Sequence, residues 1–276
     1  MKQIRIRVLA LPAAVMLAAV GAAGAQQSSS PAVSNDQRLF QRFIEDGAVV
    51  ENIWMEAQVR YQSFKDSDVT SLSPLFAMSF AEDFEVGARV PFMNVDPDDG
   101  GSETGIGDTD IWGKIRLTTK PTQLSVGVLF KLPTGDEEKS LRIGTGETDI
   151  AFFGGVRHDF DAVSLVGNAT LRINQDPEVA DPELLRELNL GGRSAEGETS
   201  LGVGGGLLFS MTSRLSGVIE ASYETERING MGSDLRITLG GDYRFGEIAG
   251  FRIGAAGGSG DSAADYEVIG GIYLFL

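Results

Sequence analysis

The chain has 276 residues, no Cys, 36 Gly, a single His and 39 acidic against 23 basic side chains, a formal charge of −16. Without Cys, disulfide frameworks, cysteine-based zinc sites and thiol catalysis are excluded, and the negative charge opposes phosphate backbones, so no nucleic-acid partner is expected. Glycine stands at nearly twice its usual share of about 7% with no Gly-X-Y period or Pro-rich tract, which excludes collagen and leaves a glycine-tolerant β architecture.

Lys2, Arg5 and Arg7 precede an apolar run from Val8 to Val20, and Ala23-Gly24-Ala25 follows with small residues. This pattern predicts a secretory signal peptide over residues 1–25. The run is shorter than the roughly 20 apolar residues of a spanning helix. Its removal takes three cations and no anion, leaving 20 basic against 39 acidic side chains. Residues 26–47 read as an N-terminal periplasmic segment in which Asn35 caps a short helix, with Leu39, Phe40, Phe43 and Ile44 on one face and Gly47 beyond its end. Its role is open between a plug, a periplasmic foot and an apolar tail resting on the membrane interface.

From residue 48 to 276 the chain alternates apolar with polar or small residues at period two, the signature of strands. Ile53, Met55, Ala57, Val59 and Tyr61 alternate with Trp54, Glu56, Gln58, Arg60 and Gln62, and later segments repeat the pattern. Twelve strands are predicted, near 50–62, 72–81, 84–93, 107–118, 123–133, 147–158, 163–173, 198–210, 215–226, 234–245, 250–258 and 265–276. Short connections, such as Glu82-Asp83, alternate with longer polar ones near 63–71, 94–106, 134–146, 174–197, 227–233 and 259–264. An even strand number, strands of about 10 residues, and short turns opposite long loops are the requirements of a bacterial transmembrane barrel.

A soluble sandwich also alternates, but three features oppose it. The polar face is rich in Gly, Ser and opposite charges, as a confined lumen would be. Aromatics gather at both ends of the oily face, with Tyr61, Phe92, Phe130, Tyr223 and Tyr266 on the long-loop side and Phe80, Phe209, Tyr243, Phe245 and Phe251 on the other. The last strand can close on the first and so leave no edge, as lipid demands. The expected fold is an all-β transmembrane antiparallel β-barrel of about 12 strands, with short periplasmic turns and longer extracellular loops.

GIGDTDIW begins at Gly105 and GTGETDIA at Gly144, each opening a strand that descends from a long loop. In both, Gly-X-Gly turns the loop back into the wall, and Asp108 and Asp110, or Glu147 and Asp149, point inward. No βαβ unit follows, so a nucleotide-binding reading is rejected. The stretch GIGDTDIW, then SVGVLFKLPTGDEEKSLRIGTGETDIAFFGGVRHDF, resembles the outer-membrane transporter family named for the meta-pathway of phenol degradation. That resemblance implies an outer-membrane channel for small solutes, aromatic or otherwise hydrophobic compounds among them.

His158 is followed by Asp159 and Phe160, so the His-X-Ser arrangement of a barrel phospholipase is absent and no catalytic residue is assigned. The pairs Asp108/Asp110 and Glu147/Asp149 could hold a hard cation, but they read as wall charges paired with Arg or solvated, so no metal and no cofactor are expected. Asp108, Asp110, Lys114, Arg116, Glu147, Asp149, Arg157, Arg172, Glu224, Arg236 and Arg244 are the expected lumen-lining residues. Sorted by height, they predict an acidic mouth that admits cationic or neutral solutes over a basic inner half. A cap at Asp181 with Pro182 behind it and Gly191 at the end predicts a short helix in the longest loop, folding over or into the mouth. The chain is thus expected to be a non-enzymatic, passive channel in the bacterial outer membrane. Its expected partners are outer-membrane lipid, lipopolysaccharide, a small-molecule solute and the barrel-assembly machinery. A closed structural or surface-interaction barrel without transport is the alternative.

Overall fold

The computed structural model describes residues 37–98, 100–135, 139, 142–177 and 196–276. The expected signal peptide, the Asn35 cap and the Asp181–Gly191 loop helix lie outside the described residues. Fourteen strands are described: β1 Ile53–Ser63, β2 Ser67–Phe80, β3 Phe84–Arg89, β4 Phe92–Pro97, β5 Glu103–Ile106, β6 Thr109–Arg116, β7 Thr122–Leu132, β8 Asp149–Phe160, β9 Val163–Ile173, β10 Thr199–Ser210, β11 Leu215–Glu224, β12 Asp234–Arg244, β13 Ala249–Ser259 and β14 Tyr266–Phe275.

They build twelve antiparallel staves, because β3 with β4, and β5 with β6, are two interrupted staves. β2 pairs with β4 over Ser67–Leu72 and with β3 over Leu75–Phe80. Between them Pro91 cannot donate to a ladder, and the opposing strand carries Pro74, so the pairing breaks there. The partner stave breaks at the same height, where the Gly107 amide donates to the Pro91 carbonyl at 2.7 Å. β14 closes on β1 from Trp54↔Phe275 to Ser63↔Tyr266 and completes the ring of staves, while β5 pairs on one side only, with β4, among the described residues.

Alternation sets which side chains meet which solvent. Val59, Leu72, Phe152, Leu201, Ile237 and Ile272 stand exposed on the outer face, where lipid would cover them, while Glu56, Glu85, Lys114, Arg157 and Glu220 are buried inside. Two connections are shorter than the sequence predicts. The β1–β2 turn is only Phe64–Asp66, and β4 and β5 reduce the 94–106 loop to residues 98–102. In both places polar residues occupy the outer as well as the inner face, which hides the period-two signal: Thr70 is exposed between buried Ser71 and Val69. Above the wall, Phe64, Val69, Val95, Ile143 and Ala264 form a small apolar core that fixes the loop carrying Ile143.

The expected periplasmic helix is corrected. Residues 37–50 have no helical turn ladder; they form an irregular arch inside the barrel, with almost every residue buried. The reason is that the wall, not an intrachain ladder, satisfies the backbone groups. The Glu220 carboxylate accepts from the amides of Phe40, Gln41 and Arg42 at 2.8, 3.0 and 2.8 Å. Lys114 Nζ donates to the carbonyls of Ile44, Asp46 and Ala48 at 3.1, 3.3 and 2.8 Å. Arg252 donates to the carbonyls of Arg38 and Leu39, and Arg157 to that of Gln37.

Candidate functional site: a plugged lumen and its vestibule

Both ends of the arch stand near the short turns. Gln37 donates toward Ser210 and Ser216 beside the β10–β11 turn, and the Val50 amide donates to Glu85 at 2.7 Å. Its apex, Gln41 to Glu45, reaches the middle of the lumen. Phe43, Ile44 and Val50 pack with Trp54, Trp112, Phe153 and Tyr273, and Trp54 stacks on Tyr273 with centroids 4.5 Å apart. Leu39 and Phe40 pack on Val166, Leu208, Val218 and Ile269. The Arg252 guanidinium lies 4.1 Å from the Phe40 ring centroid, a cation–π contact.

Wall glycines make room for this arch. A Cβ at Gly240 would stand 2.1 Å from the Phe40 ring, at Gly206 2.8 Å from Leu39, and at Gly155 2.2 Å from the Glu45 carbonyl oxygen. The glycine excess in the composition is therefore partly a docking surface. Sequence reasoning placed Gly on the inward face but had no partner to seat there.

Above the arch lies a cavity of about 500 Å³ that opens toward the long loops. Its floor is the arch apex; Phe43, Leu129, Met93 and Ile143 give it apolar surface. Six of the expected lumen residues meet here: Asp108, Asp110, Asp149, Arg172, Glu224 and Arg236. Lys114 and Arg157 instead lie below, holding the arch. Arg116 sits at the short-turn rim, its Nε donating to Asp83 at 2.9 Å, and Arg244 is 5.2 Å from the Phe275 ring there. Glu147 precedes β8 and is not part of the cavity wall.

The acidic mouth is also corrected. Eight basic and six acidic residues line the cavity. Arg42 arrives on the arch, Arg142 and Arg227 fold in from loops, and Arg89 shares the inward parity of Glu85 on β3. Only the last was legible from alternation. Glu226, beyond the end of β11, accepts from the amides of Gly230 and Gly232 at 3.2 Å each.

Most of these charges are paired. Asp110 binds Arg89; Asp149 is 2.7 Å from Lys131; Glu267 is 2.8 Å from Arg236 and 3.5 Å from Arg60. Glu224 gathers three guanidiniums: Arg227 at 2.7 Å, Arg172 at 3.5 Å and Arg42 at 3.6 Å. Burial alone would lower the Arg227 pKa, but the Glu224 carboxylate more than reverses this and holds the guanidinium charged. Of the carboxylates that could have met a hard cation, Asp108, Asp110 and Asp149 are thus engaged by protein donors. The lone His158 accepts or donates at Nδ1 to the Thr122 hydroxyl, 2.7 Å away, and stands 4.2 Å from the Phe160 ring.

The repeated glycine motif works as a loop clasp. Asp108 accepts from the Gly135 amide at 3.1 Å through Oδ1, and from the Thr145 amide at 3.1 Å and hydroxyl at 3.2 Å through Oδ2. Gly135 and Gly144 cross so closely that a Cβ on Gly144 would lie 2.9 Å from the Gly135 Cα. Asp108→Ala should therefore free the loop between β7 and β8 while leaving the barrel folded, since hydrogen bonds to a charged group are worth about 1.5–3 kcal/mol each. Limited proteolysis checks this: new cleavage between residues 133 and 148 is expected, and an unchanged digest would show that the clasp is dispensable.

No curated protein matches the sequence. Among solved structures, the COG4313 outer membrane channel from Pseudomonas putida F1 superposes with a TM-score of 0.64 at 12% identity, covering 84% of this chain and 98% of that one. The KdgM porin, solved in complex with disordered oligogalacturonate, superposes with a TM-score of 0.54 at 10% identity, covering 81% of this chain and 99% of that one. At such identities the likeness is one of fold, a closed twelve-stranded outer-membrane barrel. Residues 56–242 match the family described as "Putative MetA-pathway of phenol degradation", more than half of the chain, and the protein belongs to that family.

Proposed function

We propose that this protein is a passive outer-membrane channel for small solutes, whose lumen is narrowed on the periplasmic side by the arch of residues 37–50. The observation that carries the reading is the vestibule of about 500 Å³, open toward the long loops and floored by the arch apex. A barrel with only a structural role has no need of such a hollow. The lining joins charged walls to apolar surface from Phe43, Leu129 and Met93, which suits small amphipathic and aromatic molecules. On this reading the expected lumen residues divide the work: those of the vestibule meet the solute, while Lys114 and Arg157 hold the gate.

The depth of the arch's burial favours one other reading, a closed structural barrel. Planar-bilayer recording of the reconstituted protein separates the two. Discrete current steps are expected; silent bilayers containing folded protein would overturn the channel reading. Uptake compared with and without the protein, across aromatic solutes, then ranks the cargo.

A further inference from the structure

The inward face of β9 carries an unusual column of polar groups. Asn168, Thr170 and Arg172 occupy alternate positions, so all three point into the barrel, and all are at least nine-tenths buried. Each has a buried polar atom without a hydrogen-bond partner: both amide atoms of Asn168, the Thr170 hydroxyl and Arg172 Nε. Buried polar groups are nearly always paired, so a run of three unpaired ones on one strand face marks a place built for something else.

Arg172 is the most demanding of them. It is 7% exposed, lines the vestibule, and has a guanidinium with five N–H donors. Among the described residues, its one ion pair is the 3.5 Å approach to Glu224, which is too long and poorly aligned to count as a hydrogen bond. Glu224 is already held by two close hydrogen bonds from Arg227, at 2.8 and 2.7 Å. Arg42, the third guanidinium on that carboxylate, also reaches Glu45 at 3.3 Å. The cluster therefore has three cations and two carboxylates, and the cation with the fewest partners faces the cavity. A buried charge short of partners is costly, and an anion docked on Arg172 would remove that cost.

The chemistry of the anion follows from the surroundings. A planar guanidinium matches a carboxylate in a forked, two-bond geometry. The rest of the vestibule supplies apolar surface from Phe43, Leu129 and Met93, and its volume of about 500 Å³ has room for a small organic molecule. We infer that Arg172, flanked by Arg42 and Arg227, is a carboxylate-binding subsite, and that the solutes captured in the vestibule are small organic anions with an apolar body. The inference deepens the channel reading and rests on it for the direction of traffic; the binding itself does not require conduction.

Two measurements on the full mature protein test it, with benzoate as the probe, benzyl alcohol as its uncharged analogue and inorganic phosphate as the competing anion. Titration calorimetry in detergent should show benzoate binding, with at least tenfold weaker binding of benzyl alcohol and of phosphate. Arg172→Gln should weaken benzoate at least tenfold, Arg172→Lys less, and Arg116→Gln at the short-turn rim not at all. Heat-modifiable migration on gels reports folding of each variant, and Arg172→Lys retains the charge should the Gln variant fail to fold. In bilayers, benzoate should reduce the current in an Arg172-dependent way. Equal binding of benzoate and benzyl alcohol, benzoate binding indifferent to Arg172, or phosphate binding as well as benzoate would each overturn the subsite as assigned. Benzoate binding with silent bilayers would retain the subsite and sink the channel; current steps without benzoate binding or block would do the reverse.

Discussion

Deleting residues 37–50 should raise the unitary conductance several-fold in reconstituted bilayers. The arch occupies the short-turn half of the lumen, and nothing in the strand ladder depends on it: β1 begins at Ile53 and closes on β14 by main-chain pairing. The same change should make the barrel less resistant to heat. Leu39, Phe40, Phe43, Ile44, Val49 and Val50 are all buried, and each is worth about 1.5–3 kcal/mol of apolar burial. A single wall substitution should act in the same direction. Gly155→Val would place its Cβ 2.2 Å from the Glu45 carbonyl oxygen and 2.9 Å from the Gly47 amide nitrogen, so either the arch moves or the wall does. The wall is pinned by the β7–β8 and β8–β9 ladders, and the arch is held by side chains alone, so the arch should yield. Conductance unchanged by both the deletion and Gly155→Val would show that the arch is not the constriction.

The barrel was legible because one physical contrast, lipid outside and charge inside, is written at period two in every stave. Leu124, Val126 and Phe130 against Ser125, Leu129 and Lys131 show its limit: Leu129 shares the polar parity, and its presence inside reflects an apolar lumen core that alternation does not announce. The arch was half legible. The spacing of Leu39, Phe40, Phe43 and Ile44 correctly marks residues that seek burial, but a period of 3.6 assumes that the backbone bonds to itself. Here Glu220, Lys114 and Arg252 take over those bonds, and no local pattern in residues 37–50 encodes side chains up to 214 positions away. Glu220 itself could have been found, since it shares the inward face of β11 with Glu224. The sign of the vestibule was missed for a related reason: Arg42, Arg142 and Arg227 come from segments that have no wall parity. The strand breaks at Pro91 and Gly107 were visible as residues, but not as paired interruptions at one height.

Lys114→Met should be among the most destabilising single substitutions in the wall. The ammonium group is fully buried, with three arch carbonyls and Glu85, 3.2 Å away, as its acceptors. Methionine fills much of the same volume, so the loss is electrostatic rather than a cavity. Glu85 would keep the Trp112 indole at 2.8 Å and the Val50 amide at 2.7 Å, yet lose its cation inside the barrel. Stranding one member of a buried ion pair costs about 3–5 kcal/mol. The Ile44 carbonyl adds the cost of an unpaired acceptor, while those of Asp46 and Ala48 keep the Ser125 hydroxyl at 3.3 Å and Arg38 at 2.6 Å. A urea titration of refolding into lipid vesicles measures the sum as a lower midpoint. The informative comparison repeats the substitution in protein lacking residues 37–50. There the carbonyls are gone and water can reach Glu85, so Lys114→Met should cost markedly less, a non-additivity that neighbouring groups produce and distant ones do not. Equal losses in the two backgrounds would mean that Lys114 serves the wall alone and that the arch is held without it.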